Sequence, residues 1–325
     1  MRVAITGASG SLGRALMRRL TGAGADRIVA FSRDEARRAA LLADFGWHPG
    51  VRVFAGDVRD AERLPDIFHG CDTVIHAAAR KVVSAHPDEP REMLLTNVLG
   101  TMNVIAAARA AGVRRLLFIS SDKGVEANNV YGTTKSLAEY LVISGNAQSF
   151  PAGLRMATVR YGNVLASRGS VLEAWRRQVA AGLPLQLSDA RMTRFWLTLG
   201  DAADIVMRAL ADLRGGEIFV PKLPAAPLTR LAEALVVEPA YEMTGIRPGG
   251  EKLHESLLSE SEVRRARDRN GFYVVPPFQG EHMWDQQPWL GEPVPADLLY
   301  RSDVWHRQLS VEQMREMVKR VTVEG

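Results

Sequence analysis

The first 22 residues constrain the fold more than any other part of this chain. Residues 2–6 are short and apolar, as in a buried strand, and residues 11–20 have the spacing of an amphipathic helix. Between them lies Gly7-Ala8-Ser9-Gly10-Ser11-Leu12-Gly13. In such a unit the first glycine permits a tight turn, the second lets a pyrophosphate approach the backbone, and the third lets the helix pack on the strand. The helix N-terminus adds amide donors and a favourable dipole, so this loop predicts a dinucleotide site.

Short apolar segments alternate with helical segments over the first half of the chain. Strands are expected near residues 2–6, 27–31, 51–54, 72–76, 115–120 and 154–160. Helices are expected near residues 11–22, 34–43, 60–67, 91–111 and 131–144. This alternation predicts an α/β fold with a Rossmann-type doubly wound parallel sheet.

The pattern changes after residue 160, where Pro-rich loops separate less regular elements. Helices are expected near residues 170–181, 200–212, 228–236 and 312–321. We therefore predict a dinucleotide-binding domain over residues 1–165 and a smaller, mostly helical substrate-binding region over residues 166–325. Part of residues 192–222 is expected to return to the sheet of the first domain.

The end of the second strand bears on which dinucleotide binds. A site for NAD is expected to place a carboxylate there, against the ribose diol. This chain has Ser32 and Arg33 instead, and an arginine fork suits a 2′-phosphate. The sequence therefore favours NADP over NAD. The alternative is a solvated Arg33 at a helix start, with Asp34 as the N-cap.

Other positions fit a cofactor groove. Asp57 and Val58 follow the third strand, where Asp57 can accept a hydrogen bond from an adenine amino group or, alternatively, cap the next helix. Ala77, Ala78 and Ala79 follow the fourth strand and leave room for a cofactor against the backbone. His76 is expected to be a packed strand-end residue. Asn97 begins a helical stretch and is expected to hold backbone or water near the site.

Bulk properties agree with a soluble cytoplasmic enzyme. The 325 residues are 46% hydrophobic, enough for one large domain or two unequal ones. A single cysteine, Cys71, excludes an intrachain disulfide framework. The net charge of +4 fits anionic small molecules better than nucleic acid, and no apolar run approaches the roughly 18 residues of a membrane span. The seven histidines show no metal-ligand spacing. Apolar positions such as Ile105, Leu137 and Leu141 suggest a homo-oligomer, a dimer or larger; the alternative is that they pack on the sheet.

Residues 121–135 hold most of the candidate chemistry. Tyr131 and Lys135 are spaced Tyr-x-x-x-Lys, which places them one turn apart on one helix face. An ammonium beside a phenol favours phenolate, so Tyr131 is a candidate base for an alcohol proton. Ser121-Asp122-Lys123 follows an apolar strand, and an acid beside an amine there indicates more than alcohol oxidation. The alternative for the acid and the amine is a surface ion pair on a loop.

Motifs along nearly the whole chain resemble one family. The sequence is similar to the extended short-chain dehydrogenases/reductases, and most of all to the inverting UDP-N-acetylglucosamine 4,6-dehydratases of polysaccharide and pseudaminic acid pathways. The segments that carry the resemblance are Thr6–Gly13, Ser32–Glu35, Ala77–Lys81, Ser121–Lys123, Tyr131–Lys135, Arg160–Val164, Ser167–Val171, Met192–Thr198, Gly216–Lys222, Glu251–Glu255 and Tyr300–Asp303. The resemblance implies a nucleotide-sugar substrate, UDP-N-acetylglucosamine in the default case.

The resemblance also implies a role for each catalytic residue. Tyr131 would take the C4 hydroxyl proton while NADP accepts the C4 hydride, Lys135 would hold the nicotinamide ribose, and Ser121 would hydrogen-bond near the C4 oxygen. Lys123 would then take the C5 proton, and Asp122, with a raised pKa, would protonate the departing O6. Hydride would return to C6, and C5 inverts in the inverting members. The retaining dehydratases carry Asp-Glu in place of the Asp-Lys pair.

Substrate contacts follow from the same resemblance. Arg194 and Arg247 match arginines near the nucleotide diphosphate, and Lys81 matches a lysine of the sugar pocket. The other implied pocket residues are Asn163, Arg168, Thr193 and Glu251.

Three segments depart from the usual family pattern. They are Val82-Val83-Ser84 after Lys81, Gly124–Ala127 after the acid/base pair, and an additional glycine in Arg247–Glu251. These departures keep two further hypotheses open. One is a related NAD(P)-dependent dehydratase or epimerase acting on a different nucleotide-linked sugar in a secondary-metabolite pathway. The other is a non-catalytic NADP-binding regulator.

Overall fold

A computed structural model of the protein describes residues 1–81, 89–149, 153–247, 250–277 and 291–323. Strands alternate with helices over the first half. The strands are β1 (Arg2–Thr6), β2 (Arg27–Ser32), β3 (Val51–Ala55), β4 (Thr73–His76), β5 (Arg115–Ile119) and β6 (Arg155–Val159). The helices are α1 (Ser11–Gly22), α2 (Glu35–Phe45), α3 (Leu64–Phe68), α4 (Glu89–Met93), α5 (Gly100–Ala110) and α6 (Val130–Ser149). A π-helical turn, Leu94–Leu99, joins α4 to α5, and a 3₁₀ turn, Asp122–Gly124, follows β5.

These six strands lie in one sheet in the order β3-β2-β1-β4-β5-β6, and every neighbouring pair is parallel. Helices cover the sheet, so its central strands are largely apolar and buried, and Val3, Ala4 and Ile5 have no exposed surface. The order reverses between β1 and β4, and open α/β sheets bind ligands at the carboxyl ends of strands at such a point. The prediction of a Rossmann-type doubly wound sheet is confirmed.

The second half contributes shorter elements. Its strands are β7 (Asn163–Val164), β8 (Leu185–Leu187), β9 (Thr193–Leu197), β10 (Ile218–Pro221), β11 (Ala225–Pro227), β12 (Tyr241–Met243), β13 (Arg267–Arg269), β14 (Phe272–Val275) and β15 (Glu292–Pro293). Its helices are α7 (Val171–Ala180), α8 (Leu199–Asp212), α9 (Leu228–Leu235), α10 (Glu260–Val263) and α11 (Val311–Val323). The region is therefore less purely helical than the sequence indicates, because strands this short carry little alternating pattern.

Two arrangements join the halves. Strand β10 pairs in parallel with β6, and β14, β13 and β15 continue the sheet antiparallel to ten strands. Strand β9 lies between β7 and β11 in a separate small sheet. A second apolar core, which includes Leu172, Trp175, Leu231 and Met314, packs α7, α9 and α11 around that part of the chain. The domain boundary at residue 165 stays a prediction.

A buried ion network ties α6 and α10 to the end of β6. Arg160 is 2% exposed, and its guanidinium donates to Glu139 at 2.6 and 3.1 Å and to Glu262 at 2.9 and 3.0 Å. A further bond of 2.9 Å reaches the carbonyl oxygen of Leu257. A buried charge is tolerated when it is paired and hydrogen-bonded in this way. The network therefore fixes the segment near residue 257 against the helix that carries Tyr131.

One helical stretch among the described residues, Pro90–Ala110, is long and apolar enough to cross a membrane by length and composition alone. More than half of its most apolar window is buried inside the fold. Val104 and Ala108, for example, have no exposed surface and belong to the core beneath the sheet. The expectation that no apolar run approaches the length of a membrane span is therefore not met by this helix, which is packed as a core helix.

Candidate active site

The glycine loop turns tightly at the carboxyl end of β1. Gly7 has a φ of +70°, and a Cβ placed there would lie 2.8 Å from the backbone nitrogen of Ala78. A Cβ on Gly13 would overlap the carbonyl oxygen of Gly7. Both positions therefore require glycine, as the loop pattern predicts. Leu12 anchors the loop by packing against the main core.

The start of α1 is free to receive an anion. Gly10 is the N-cap and gives no side-chain hydrogen bond, and the first turn carries no acidic residue. Ser9 donates to the Ser32 hydroxyl at 3.2 Å, which brings the end of β2 to the loop. The first turn of α1 therefore has no side-chain cap, so its amides are available for a pyrophosphate.

The residues expected at the adenosine end lie together. Arg33 is about half exposed, and its Nη1 lies 3.4 Å from Asp57 Oδ2. Asp57 also accepts from Arg59 at 2.7 Å, and although burial raises its pKa, the hydrogen bonds from Arg59 outweigh burial and leave the pKa lowered. Asp57 is therefore not the cap of α3, which begins later at Leu64. The capping role of Asp34 is confirmed, since it accepts from the Arg37 amide at 2.9 Å.

Asn97 organises the segment after β4. Its side chain accepts from the Arg80 amide at 2.7 Å and donates to the Arg80 carbonyl at 2.9 Å and to Thr134 at 3.0 Å. It therefore ties the chain that follows Ala77–Ala79 to the catalytic helix α6. The interpretation of His76 as a packed residue is confirmed, because it is fully buried between hydroxyls of Thr6 and Thr101. Burial lowers the pKa of His76 to about 3.

The 3₁₀ turn after β5 brings the acid and the amine into contact. Lys123 Nζ lies 3.0 Å from Asp122 Oδ1 and donates at 3.1 Å to Oδ2 and at 2.6 Å to Asn163 Oδ1. Ser121 donates to Asp122 Oδ1 at 2.8 Å. The Asp122 carboxyl is completely buried, so the reading of these residues as a surface ion pair is wrong. Burial raises the pKa of Asp122, Lys123 opposes this, and a nearby glutamate adds to it.

That glutamate is Glu255, to which sequence analysis assigned no role. It is 2% exposed, and its carboxylate lies 3.3 Å from Lys123 Nζ, 3.3 Å from Lys252 Nζ and 3.9 Å from Arg194 Nε. Burial opposes ionisation, but the three cations outweigh it and lower the pKa of Glu255. Lys252 and Glu255 lie in Glu251–Glu255, one of the segments that carry the family resemblance. The contact with Lys123 could not be predicted, because the segment is more than 120 residues away in sequence.

Tyr131 and Lys135 lie on α6, as predicted, yet their electrostatics differ from the prediction. The Lys135 amine donates to the Ile119 carbonyl at 2.5 Å and lies 4.0 Å from the centroid of Phe118. Burial raises the pKa of Tyr131, the charge of Asp122 raises it further, and a hydrogen bond with Ser121 lowers it. The prediction that Lys135 lowers the Tyr131 pKa is therefore wrong for this structure.

We expect Lys135→Met to be more stable than the natural protein at low pH. Burial lowers the pKa of Lys135 from 10.5 to about 7, so between these values the unfolded chain binds more protons than the folded one. The lysine therefore costs folding free energy below pH 7, and this cost disappears as the pH rises towards 10.5. Melting temperatures of both proteins at pH 6 and pH 10 measure the effect. A difference that stays the same at both values would contradict the assignment.

The expected substrate residues fall into two groups. Thr193 and Arg194, in β9, are buried near Glu255; the Thr193 hydroxyl lies 2.9 Å from His254 Nδ1. Arg194 donates to the Thr193 carbonyl at 2.8 Å, so much of its hydrogen-bonding capacity faces the protein. Arg247 is 69% exposed at the side chain and pairs with Glu251 at 3.2 Å. Arg247 is therefore the more accessible of the two arginines for a diphosphate.

The second group lies beside the glycine loop. The Arg168 amide donates to Ser11 at 3.0 Å, which holds residue 168 against the start of α1. Lys81 is exposed, but desolvation by neighbouring atoms lowers its pKa; the charge of Glu173 opposes this and the charge of Arg168 adds to it, so these three side chains are neighbours. The structure therefore places Arg168, an expected substrate residue, beside the glycine loop. Asn163 lies instead in the acid/base cluster, where it accepts from Lys123.

With this geometry in place, similarity to known proteins identifies the family. A family model described as "Polysaccharide biosynthesis protein" matches residues 3–277. The chain belongs to this family. The inverting UDP-N-acetylglucosamine 4,6-dehydratase of Campylobacter jejuni is 37% identical over 277 residues, which span 85% of this chain and 82% of that protein. The UDP-glucose 4-epimerase of Rickettsia typhi is 37% identical over 280 residues, 84% of this chain and 82% of that protein. The resemblance read from the motifs is confirmed.

Solved structures share the fold. Pen from Bacillus thuringiensis is 30% identical, with a TM-score of 0.89 over 98% of this chain and 97% of that chain. DesIV, a dTDP-glucose 4,6-dehydratase from Streptomyces venezuelae, contains NAD in its solved structure. It has a TM-score of 0.67 at 23% identity over 77% of this chain and 86% of that chain.

Two of the departures from the family pattern meet at one place. Glu126 has a φ of +47°, which is uncommon for a residue with a side chain, and the Lys252 amine donates to the carbonyl of neighbouring Val125 at 2.5 Å. Gly250, with a φ of +92°, accepts from Asn129 at 3.3 Å. The two altered loops therefore brace each other just before Tyr131. The Val82–Ser84 departure lies outside the described residues.

Proposed function

We propose that this protein is a nucleotide-sugar 4,6-dehydratase that acts on UDP-N-acetylglucosamine and inverts C5. The observation that carries the proposal is the buried contact between Asp122 and Lys123, close enough to Tyr131 for the Asp122 charge to act on its pKa. Elimination of water needs an acid and a base together, in addition to the base that takes an alcohol proton. The inverting dehydratase of Campylobacter jejuni, at 37% identity, supports the same reaction.

The cofactor would lie across the carboxyl ends of β1 and β4. Gly7, Gly10 and Gly13 shape the loop for its pyrophosphate, and Lys135, whose amine bonds the Ile119 carbonyl at the end of β5, would hold the nicotinamide ribose. A nicotinamide bound there would supply the acceptor for the C4 hydride and the donor for C6. Tyr131 would accept the C4 hydroxyl proton, with Ser121 as its hydrogen-bond partner.

The acid/base pair would carry out the elimination. A ketone at C4 acidifies the C5 hydrogen, and Lys123 would take that proton while the C5–C6 double bond forms. Asp122 would donate its proton to O6 as the C6–O6 bond breaks and water leaves. The Asp122 carboxyl is enclosed by Ser121 at 2.8 Å and Lys123 at 3.0 Å, so O6 must displace one of these partners to receive the proton directly. Hydride would then return to C6, and the resulting enolate would take a proton at C5 on the face opposite to Lys123, which inverts that centre.

Incubation with UDP-N-acetylglucosamine in D₂O tests the proposal. We expect loss of one water and incorporation of one deuterium at C5, read by mass spectrometry, and ring couplings in the proton NMR spectrum that show C5 inversion. A product that keeps its mass but has the other C4 configuration would favour an epimerase. Recovery of unchanged substrate from this nucleotide sugar and its close analogues would contradict a dehydratase.

An epimerase is the second candidate, because the UDP-glucose 4-epimerase of Rickettsia typhi is as similar as the dehydratase. Tyr131 and Lys135 serve either reaction. The epimerase needs no acid for O6, however, so it leaves the buried contact between Asp122 and Lys123 without a chemical purpose.

Arg33→Ala is expected to weaken NADP binding roughly 10- to 100-fold, the worth of a charge-assisted hydrogen bond, and to leave NAD binding nearly unchanged. The Arg33 side chain is about half exposed and lies 3.4 Å from Asp57, so it is accessible to a 2′-phosphate. Isothermal titration with both dinucleotides measures the ratio. Arg37→Ala, an exposed neighbour paired with Asp34, is the matched control. Equal losses for both dinucleotides would contradict the proposed NADP preference.

The proposed homo-oligomer needs a revised surface. Ile105 is buried in the core at 8% exposed, so it does not form a contact between subunits. Leu137 is 44% exposed, and Met102 and Tyr140 on the same pair of helices are more exposed still. These three side chains are the apolar surface through which we propose that α5 and α6 self-associate.

A further inference from the structure

Glu255 lies at the centre of the acid/base cluster without access to solvent. One carboxylate oxygen is 3.3 Å from Lys123 Nζ, and the other is 3.3 Å from Lys252 Nζ. Its backbone amide donates to the Ser302 hydroxyl at 2.9 Å, which fixes the position of the residue. The reacting group that Glu255 contacts is therefore the Lys123 amine.

The Asp122–Lys123 pair works only with a single proton between its two reactive groups. With two protons the amine cannot act as a base, and with none the carboxyl cannot act as an acid. With one proton, the resting form is the ion pair, and the reactive form has a neutral carboxyl and a neutral amine. The nitrogen lies 3.0 and 3.1 Å from the two carboxyl oxygens, so the proton can pass directly between them.

The surrounding charges decide over which pH range that proton stays on the pair. Glu255 is the anion nearest the amine outside the pair, and it favours retention of the proton. Lys252 and Arg194 are cations that pair with Glu255 and oppose retention, and the Lys252 amine also donates to the Asp122 carbonyl oxygen at 3.4 Å. The Tyr131 phenol also faces Asp122, and it carries no charge while its pKa is raised.

We propose that Glu255 is a positioning residue that keeps one proton on the Asp122–Lys123 pair through its ion pair with Lys123. The inference rests on the dehydratase function proposed above. Charges of opposite sign then set the pH range over which the pair keeps its proton. Glu255 extends that range towards high pH, and Lys252 shortens it. The proton moves from the amine to the carboxyl within the pair, so the reactive form can arise without proton exchange with solvent.

The test compares the pH dependence of kcat in a variant that removes a negative charge and in a variant that removes a positive charge. Glu255→Gln removes the anion, so we expect the alkaline limb to move to lower pH by about 1 to 3 units, the usual effect of a charge at this distance. Lys252→Met removes a cation, so we expect a move to higher pH. Glu255→Asp keeps the charge and should leave the limb close to that of the natural protein. Glu260→Gln, whose carboxylate is exposed and paired with Arg264, is the matched control.

An alkaline limb that stays in place while kcat falls in Glu255→Gln would show a merely structural role. Shifts of Lys252→Met and Glu255→Gln in the same direction would also overturn the proposal. Melting temperatures identify any variant that fails to fold, and Lys252→Met tests the same balance independently.

A second measurement does not depend on turnover. Reductive ¹³C-methylation labels lysine amines, and the Lys123 signal is identified by its absence from Lys123→Arg. We expect it to titrate at lower pH in Glu255→Gln and at higher pH in Lys252→Met. An unmoved titration overturns the proposal even where turnover is normal. Failure of the dehydratase proposal appears separately, as a natural protein that releases no water while Lys123 still responds to Glu255.

Discussion

Lys123→Ala is expected to oxidise C4 and then stop before water is lost. The substitution removes an amine that contacts both Asp122 and Glu255 and whose side chain is 25% exposed, so it can reach a substrate. A positioned general base contributes about 10²- to 10⁴-fold, and dehydration should slow by a factor in that range. Reduced nicotinamide should therefore accumulate. Stopped-flow absorbance follows the oxidation, and mass spectrometry follows the loss of water.

The control for this variant must separate chemistry from stability. Lys123→Ala leaves Asp122 and Glu255 buried with one cation fewer, and loss of a buried partner typically destabilises a protein. The melting temperature is therefore measured alongside the rates. Lys319→Ala, in an exposed pair with Glu316, should behave as the natural protein does. Dehydration at the normal rate by folded Lys123→Ala would remove Lys123 as the C5 base.

Elements with strong local signals were predictable from sequence. Strand β1, the glycine loop and α1 follow from apolar spacing and from glycines that the backbone requires at residues 7 and 13. The Asp122–Lys123 contact was also predictable, because adjacent residues in a tight turn after a buried strand have few ways to separate. Such features depend on residues close in sequence, and short-range patterns encode them directly.

Elements that depend on distant partners were not predictable. Strands β13 and β15 are three and two residues long, and they are strands only because β13 pairs with β14 and β15 pairs with β13. Glu255 is charged, a type that is seldom buried unpaired, and it is buried only because Lys123, Lys252 and Arg194 converge on it. Spacing along the chain contains no record of that convergence.

The electrostatics of Tyr131 show why a motif does not fix a pKa. Tyr-x-x-x-Lys places the two residues on one face, but the Lys135 amine bonds the Ile119 carbonyl, and Asp122 acts on the phenol instead. The Asp122 charge raises the Tyr131 pKa, so protonation of Asp122 removes that effect. The acid role proposed for Asp122 and the base role proposed for Tyr131 therefore favour each other.

Tyr131→Phe is expected to lose C4 oxidation by about 10²- to 10⁴-fold, and with it the loss of water, because the C5 hydrogen is acidic only beside a ketone. The phenol is the group that interacts with Ser121 and Asp122, and phenylalanine keeps its shape without the hydroxyl. Tyr140→Phe, on the same helix with a 63% exposed side chain, should leave both steps unchanged. Hydride transfer at the normal rate in Tyr131→Phe would exclude Tyr131 as the base.

Exchange of the C5 hydrogen in the 4-keto product distinguishes the role proposed for Tyr131 from the role proposed for Lys123. In D₂O, Tyr131→Phe should still exchange the C5 hydrogen of that ketone, because Lys123 and its contact with Asp122 are intact. Lys123→Ala should oxidise the substrate but fail to exchange the product. Loss of exchange in both variants would mean that the phenol and the amine act as one unit, and the assignment of separate steps to Tyr131 and Lys123 would be wrong. If Tyr131→Phe loses oxidation but keeps exchange, and Lys123→Ala keeps oxidation but loses exchange, the two steps must use two different bases.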